Sequence, residues 1–217
     1  MTEGRGMRND GDARDAPDMD PASAAVIIEA AREHVQRELT INRSAILATW
    51  SIVYLLGYGV VWLSVKGQQP FRAPAGWALA LLVALAALAL GVTAQLTERA
   101  TSGVGGMSSQ RRRIYALSLV VGLLGVYVME AALSSAGASQ RVLSVYGASA
   151  PLLVAGVILV AGTAAWLSWY MFGLGAWLIA VAATSGFAGP AGVWAVDALA
   201  VGMPMLLLAA IQLRRRL

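Results

Sequence analysis

The sequence predicts an all-α fold: a six-span transmembrane helical bundle with an N-terminal amphipathic juxtamembrane helix and a helix pair written twice in the same direction. Composition is the first reason. The 217 residues are 58% hydrophobic and 13% charged, with a mean hydropathy of +0.66, values that belong to a membrane protein. Charge placement is the second. From Val142 to Leu213, Asp197 is the only charge of either sign, and such a run of 72 residues holds three spans of about 20 residues with short turns. An internal repeat is the third. Trp50, Tyr54, Gly57, Gly59, Phe71, Pro74, Ala75 and Gly76 recur as Trp166, Tyr170, Gly173, Gly175, Phe187, Pro190, Ala191 and Gly192, every pair offset by 116 residues. In that register 44–99 matches 160–215 at 15 of 56 positions, against roughly six expected from an Ala/Leu/Gly-rich composition.

The elements follow in order. Residues 1–20 carry six acids and three Arg with almost no large apolar side chain, so they predict a solvated cytoplasmic tail. They contain no apolar stretch and no cleavage site of a signal peptide. Asp20 and Pro21 form an N-cap and first-turn pair opening an amphipathic helix within 21–43. Its stripe of Ala24, Ile27, Ile28, Ala31, Val35 and Leu39 opposes Glu29, Arg32, Glu33, Gln36 and Arg37. This helix suits the inner leaflet or a cytosolic or membrane protein partner, and an elbow before the first span is the plainer alternative. His34, the only histidine, borders its polar side and suggests neither metal nor catalysis.

The membrane domain is expected over 44–217. Span one is Ser44–Val65, without a charge, followed by a polar turn through Lys66, Gln68, Gln69, Pro70 and Arg72. Span two, Trp77–Leu96, is Leu and Ala almost all round and reads as lipid-facing. A linker, 97–113, contains Gly103, Gly105 and Gly106 and ends on Arg111, Arg112 and Arg113; with no strand before it and no Lys-Ser/Thr after, it is not a phosphate-binding loop. Span three runs from Ile114 to about Ser134, and span four from Ser144 to Ala164 with Pro151 in its first turns. Span five ends near Thr184, after either a tight turn at Trp166–Trp169 or a bend that joins spans four and five into one pair. A Gly/Pro turn, Ser185–Gly192, leads into span six, Val193–Leu213, with a kink expected at Pro204 and Arg214, Arg215 and Arg216 closing it.

Basic residues predict the orientation. With both termini cytoplasmic, Arg32, Arg37, Arg43, Arg99, Arg111–Arg113 and Arg214–Arg216 lie inside, against Lys66, Arg72 and Arg141 outside, ten to three. Spans one and five then run the same way, so the repeat is parallel. The Arg triplets are topology anchors and contacts for anionic lipid, which argues against nucleic acid as their partner. The absence of Cys excludes disulfides and thiolate chemistry, and no motif for a metal or another cofactor is present.

Chemistry concentrates on two acids. Glu130 lies 17 residues after Arg113 and Asp197 17 residues before Arg214, so both sit about 25 Å from the inner interface. An acid in hydrocarbon is costly and must face the bundle, pair with a partner or be protonated. Asp197 matches Leu81 in the first copy, so the acid belongs to one copy alone. Pro204, seven residues further on the same helix face, frees a backbone carbonyl near mid-membrane. The plainer alternative gives Glu130 to the outer headgroups and pairs Asp197 with Trp, Ser or Arg141.

The amphipathic helix leading into Trp50-x3-Tyr54-x2-Gly57-x-Gly59 resembles small polytopic membrane proteins of GC-rich Gram-positive bacteria. The resemblance covers about 24–63 and implies a plasma-membrane location. In outline, an amphipathic elbow before six spans is also similar to the membrane subunit of some export systems. With no catalytic constellation, the sequence favours a non-enzymatic membrane subunit or partner-binding component, such as one belonging to a transport assembly. The alternative is an autonomous proton- or cation-coupled permease for a small or lipophilic solute, using Glu130 and Asp197.

Overall fold

The computed structural model describes residues 25–27, 29–30, 43–99, 107–166 and 168–214. The tail 1–20, most of the juxtamembrane helix, the glycine linker, and Arg215 and Arg216 lie outside them. Residues 25–27 and 29–30 are helical and exposed, and belong to a separate unit from the membrane domain.

The described residues form helices and no strands. Five helical runs are long and apolar enough to cross a membrane: Arg43–Val65, Gly76–Glu98, Ile114–Ser135, Gln140–Ala164 and Trp169–Arg214. The chain therefore has the helices of an integral, multi-pass membrane protein. We label the helices α1 (Arg43–Val65), α2 (Gly76–Arg99), α3 (Met107–Ser135), α4 (Gln140–Trp166), α5 (Trp169–Ser185) and α6 (Gly189–Arg214).

Several boundaries differ from those the sequence suggests. The fifth apolar run is a single helical stretch of 46 residues interrupted only by a 3₁₀ turn at Gly186–Ala188, so the Gly/Pro turn shrinks to three residues. Pro190 is already inside the first turn of α6, where its missing N–H costs nothing. Gly189, at φ 81°, supplies the left-handed corner that a Cβ would resist. The chain reverses there: Trp177 Nε1 donates to Ala200 O at 2.8 Å, although 23 residues of straight helix would span about 35 Å. The backbone of Arg111–Arg113 lies in the opening turns of α3 and not in a loop. Because α4 begins at Gln140, Pro151 is an interior residue and not a first-turn one. The tight turn expected at Trp166–Trp169 does fall there: α4 ends at Trp166 and α5 begins at Trp169, with Ser168 extended.

The connections explain themselves locally. After α3, Gly137 at φ 83° allows Ala138 N–H to reach Leu133 O at 3.0 Å and Gly137 N–H to reach Ser134 O at 3.1 Å, a Schellman closure. Between α1 and α2, the Gln68 amide organises the turn. It donates to Ser64 O at 2.9 Å and Ala73 O at 3.3 Å and accepts from Arg72 N–H at 3.1 Å.

Packing sorts the helices into a centre and two flanks. α1, α4, α5 and α6 share one core containing Tyr54, Tyr58, Leu152, Leu178, Trp194 and Val201. α2 packs chiefly on α1, and α3 on α4. Only 11% of the α2 span and 6% of the α3 span is buried, so their Leu- and Val-rich faces look outward. An apolar face turned outward suits a helix whose solvent is lipid.

Residues matched at the 116-residue offset are used differently in the two segments. A Cβ at Gly57 would meet Leu82 Cδ1 at 2.6 Å, whereas Gly173 has open space. At the next pair the roles swap. Gly59 is open, while a Cβ at Gly175 would lie 2.7 Å from Gly156 O, because α4 and α5 touch backbone to backbone there. Phe71 packs against the core, but Phe187 is 91% exposed.

Candidate functional site

The centre of the bundle is irregular where α1 meets α6. Over Val53–Tyr58, α1 widens into π-helical geometry, a distortion that often marks functional positions. The facing residue is Gly202: a Cβ there would lie 2.6 Å from Leu55 Cγ and 3.2 Å from Leu55 N, so only glycine permits this approach. One turn earlier in α1, Ser51 Oγ donates to Gly202 O at 2.8 Å, sealing the contact.

The widened turn carries an aromatic column. Trp50 and Tyr54 have ring centroids 6.5 Å apart, Tyr54 and Tyr58 5.2 Å, and Tyr58 and Trp194 of α6 5.3 Å. Each is a tilted pair within the usual range of aromatic contact. Three of the four polar ends are partnered: Trp50 Nε1 donates to Thr93 Oγ1, Tyr58 Oη to Ala148 O at 3.4 Å, and Trp194 Nε1 to Ser144 Oγ at 2.9 Å. Ser144 in turn donates to Pro190 O at 2.7 Å.

Asp197 sits beside this column. The buried residues of α6, Val193, Trp194, Asp197, Ala198, Val201, Gly202 and Met205, recur at helical spacing and form its inward stripe. The acid is thereby placed at the core, with 0% of its surface exposed. Tyr54 and Tyr58 of α1 lie within electrostatic reach, and the Ser185 hydroxyl at the end of α5 faces it. Yet neither carboxyl oxygen has a hydrogen-bond partner among the described residues. The pairing with Trp or Arg141 entertained from the sequence is not what surrounds it. A bare buried carboxylate costs several kcal/mol even after relaxation, about the scale of a domain's whole stability. The carboxyl satisfies its surroundings as a neutral acid or by holding a cation, and exchange between these states is the chemistry the arrangement offers.

Glu130 stands elsewhere. Half-buried near the end of α3, its Oε1 lies 3.1 Å from where a Gly147 Cβ would be, and its electrostatic neighbour is Tyr127. The structure therefore gives the two acids different surroundings, α3 and α4 for Glu130 and α1, α5 and α6 for Asp197.

Pro204 frees the carbonyl of Ala200, four residues back, and the structure shows what takes it: the Trp177 indole N–H at 2.8 Å. The helix runs on through Pro204, and the freed carbonyl is part of the α5–α6 seam instead of a cavity wall. Arg214 is exposed at the end of α6.

At the end bearing the α1–α2 connection, an open recess of about 470 Å³ is lined by Gln68, Gln69, Pro70, Phe71, Arg141, Ala188 and Pro190–Gly192. No group of three or more potential metal ligands occurs among the described residues. Ser144, Ser149 and Ser185 are the site residues that sequence reasoning missed. They are small hydroxyls inside apolar runs, a signal present in the sequence but without direction until the helices pack. Comparison with protein-family models, with curated proteins and with solved structures finds no match.

Proposed function

We propose that this chain is a six-crossing plasma-membrane protein with both termini cytoplasmic, and that it works as a proton-coupled permease for a small lipophilic solute. The reversal between α5 and α6 supports six crossings, and the ten-to-three distribution of basic residues supports the orientation. The single observation that carries the function is Asp197: a fully buried acid with two unpartnered oxygens, on the helix that meets the π-helical turn of α1. An intramembrane acid of this kind is by default a functional group. The surrounding Tyr54, Tyr58 and Trp194 rings, and the scarcity of hydrogen-bonding groups, favour a lipophilic solute over a sugar or amino acid. Glu130 is the second acid of this reading, near the end of α3. The reading is non-enzymatic.

The test uses proteoliposomes with an imposed pH gradient and ethidium as a lipophilic cation probe, with neutral and anionic dyes alongside. Flux that depends on the gradient is expected for the wild-type protein and is lost in Asp197→Asn. Flux unchanged by that substitution sinks the permease reading.

A membrane subunit or partner-binding component is the second reading. It is favoured by the outward faces of α2 and α3, which offer large apolar surfaces on both flanks, together with the amphipathic pattern of 21–43. Pull-down of the full chain and of a form lacking 1–39 discriminates: a partner that co-purifies with both forms rules out docking through the N-terminal helix. The parallel duplication of 44–99 and 160–215 belongs to either reading as the origin of the outer helix pairs, with the acid gained or kept in one copy.

A further inference from the structure

We propose that the recess at the α1–α2 end of the bundle binds a small organic monoanion, a carboxylate on an apolar body, through Arg141 and the Gln69 amide. This is a second site, apart from Asp197, and it stands whether or not the chain is a permease.

Charge at this end of the bundle has one sign. The three connections, 66–75, 136–139 and 186–188, and the first turns of the helices that follow them contain Lys66, Arg72 and Arg141 but no acid. Glu130 and Asp197 lie within α3 and α6. Lys66 sits over the Trp62 ring, its Nζ 4.9 Å from the centroid. Arg141 is different: it is exposed, it lines the recess, and among the described residues its guanidinium has neither an ion pair nor a hydrogen bond. Helix stability does not account for its place. A cation in the first turn of α4 meets the positive end of the helix dipole, which disfavours it. A charge that its own helix disfavours, left without a counter-charge and open to a cavity, is completed by an anion.

Size and lining select which anion. A volume of about 470 Å³ lies within the range of small-molecule sites and exceeds what an inorganic ion fills. The wall is held in place. Gln68 spends its amide on Ser64 O, Ala73 O and the Arg72 N–H, which fixes the turn, and Phe71 packs against the core. Gln69 has no such bond among the described residues, so its NH₂ remains available as a donor beside Arg141. Pro70, Phe71 and Pro190 give the recess apolar surface for the body of the ligand. Guanidinium and carboxylate match through two parallel N–H···O bonds, and one guanidinium compensates one negative charge. An ammonium group meets only like charge here, and a neutral amide forgoes the charge-assisted bond.

The experiment is fluorine NMR on the full chain in zwitterionic nanodiscs, with empty nanodiscs as the blank. The probes share one ring: para-trifluoromethylbenzoate, the matching benzamide and the matching benzylammonium, each titrated by line broadening. The benzoate is expected to bind about tenfold more tightly than the benzamide, and the benzylammonium to show nothing beyond the blank. Arg141→Gln weakens benzoate binding about tenfold, and Arg141→Lys, which keeps the charge but loses the fork, weakens it less. Arg72→Gln removes the same charge from the same end but not from the recess, and leaves the affinity within about twofold. All three positions are exposed changes on the surface, and circular dichroism confirms that each variant keeps its helices. No benzoate broadening beyond the blank, equal affinity for benzoate and benzamide, or binding indifferent to Arg141→Gln overturns the site. Equal weakening by Arg141→Gln and Arg72→Gln also overturns it, because the anion then answers to the potential of the whole end and not to the recess.

Discussion

Trp177 and Pro204 form a pair whose coupling can be measured. Proline at 204 cannot donate to Ala200 O, and the Trp177 indole does so in its place at 2.8 Å. Trp177→Phe keeps an aromatic ring but removes the donor, leaving a backbone carbonyl without a partner inside an apolar run. A typical net hydrogen bond is worth about 0.5–1.5 kcal/mol, and an orphaned buried group costs about 1–3 kcal/mol. Partners found in the unfolded, lipid-embedded state pull these values down, so we expect about 1–2 kcal/mol for Trp177→Phe. In a Pro204→Ala background the main chain regains its own N–H donor to Ala200 O, the indole becomes redundant, and the same substitution costs under about 0.5 kcal/mol. The coupling is therefore about 1 kcal/mol, close to a tenfold change in the folded-to-unfolded ratio. Reversible unfolding in mixed detergent micelles, followed by circular dichroism for the wild type, both single variants and the double variant, gives the cycle. Equal cost in the two backgrounds would refute the reasoning.

Other predictions concern packing and polar satisfaction. Gly175→Ala forces a Cβ to 2.7 Å from Gly156 O and 2.9 Å from Val160 N, backbone atoms that cannot rotate away. Overpacking of about 1–3 kcal/mol outweighs the gain of up to about 1 kcal/mol in helix propensity. The matched substitution Gly59→Ala meets nothing within 4 Å and is expected to be neutral or stabilising by that propensity gain. Thermal melts in detergent should separate the two by several degrees, and indistinguishable melting would contradict the α4–α5 backbone contact. Ser144→Ala strands both Trp194 Nε1 and Pro190 O, with an expected loss of about 1–3 kcal/mol, whereas Ser144→Thr retains most of it. A red-shift or quenching change in tryptophan emission confined to the alanine variant would accompany the loss.

Much of the architecture is legible in the sequence because lipid simplifies the rules. A long apolar run must satisfy its backbone internally, so it is helical, and its length fixes the number of crossings it can make. The starts and ends near Val65, Gly76, Ser135 and Arg214 follow from charged or Gly/Pro-rich punctuation. Inside continuous apolar sequence that punctuation weakens: the α4–α5 break falls at the expected Trp166–Trp169, but α6 begins at Gly189, ahead of the expected Val193. Asp197 and Pro204 are visible as anomalies in apolar sequence. Their neighbours are not, since Ser51, Ser149, Ser185 and Trp177 are common residues whose partners lie 23 to 151 positions away.

What the sequence by itself determined is the helical class, the long apolar runs suited to a membrane and the presence of two acids, Glu130 and Asp197, within them, all of which follow from hydropathy and charge along the chain. Only the tertiary structure decided what those acids face. The repeat around Trp50–Gly76 looked like two equal units, yet Gly57 serves α2 in one copy and Gly175 serves α4 in the other, because contact depends on which helix lies opposite. The same physics separates Glu130 from Asp197: depth along a helix is additive at 1.5 Å per residue and can be counted, but direction around it is fixed only when neighbours pack.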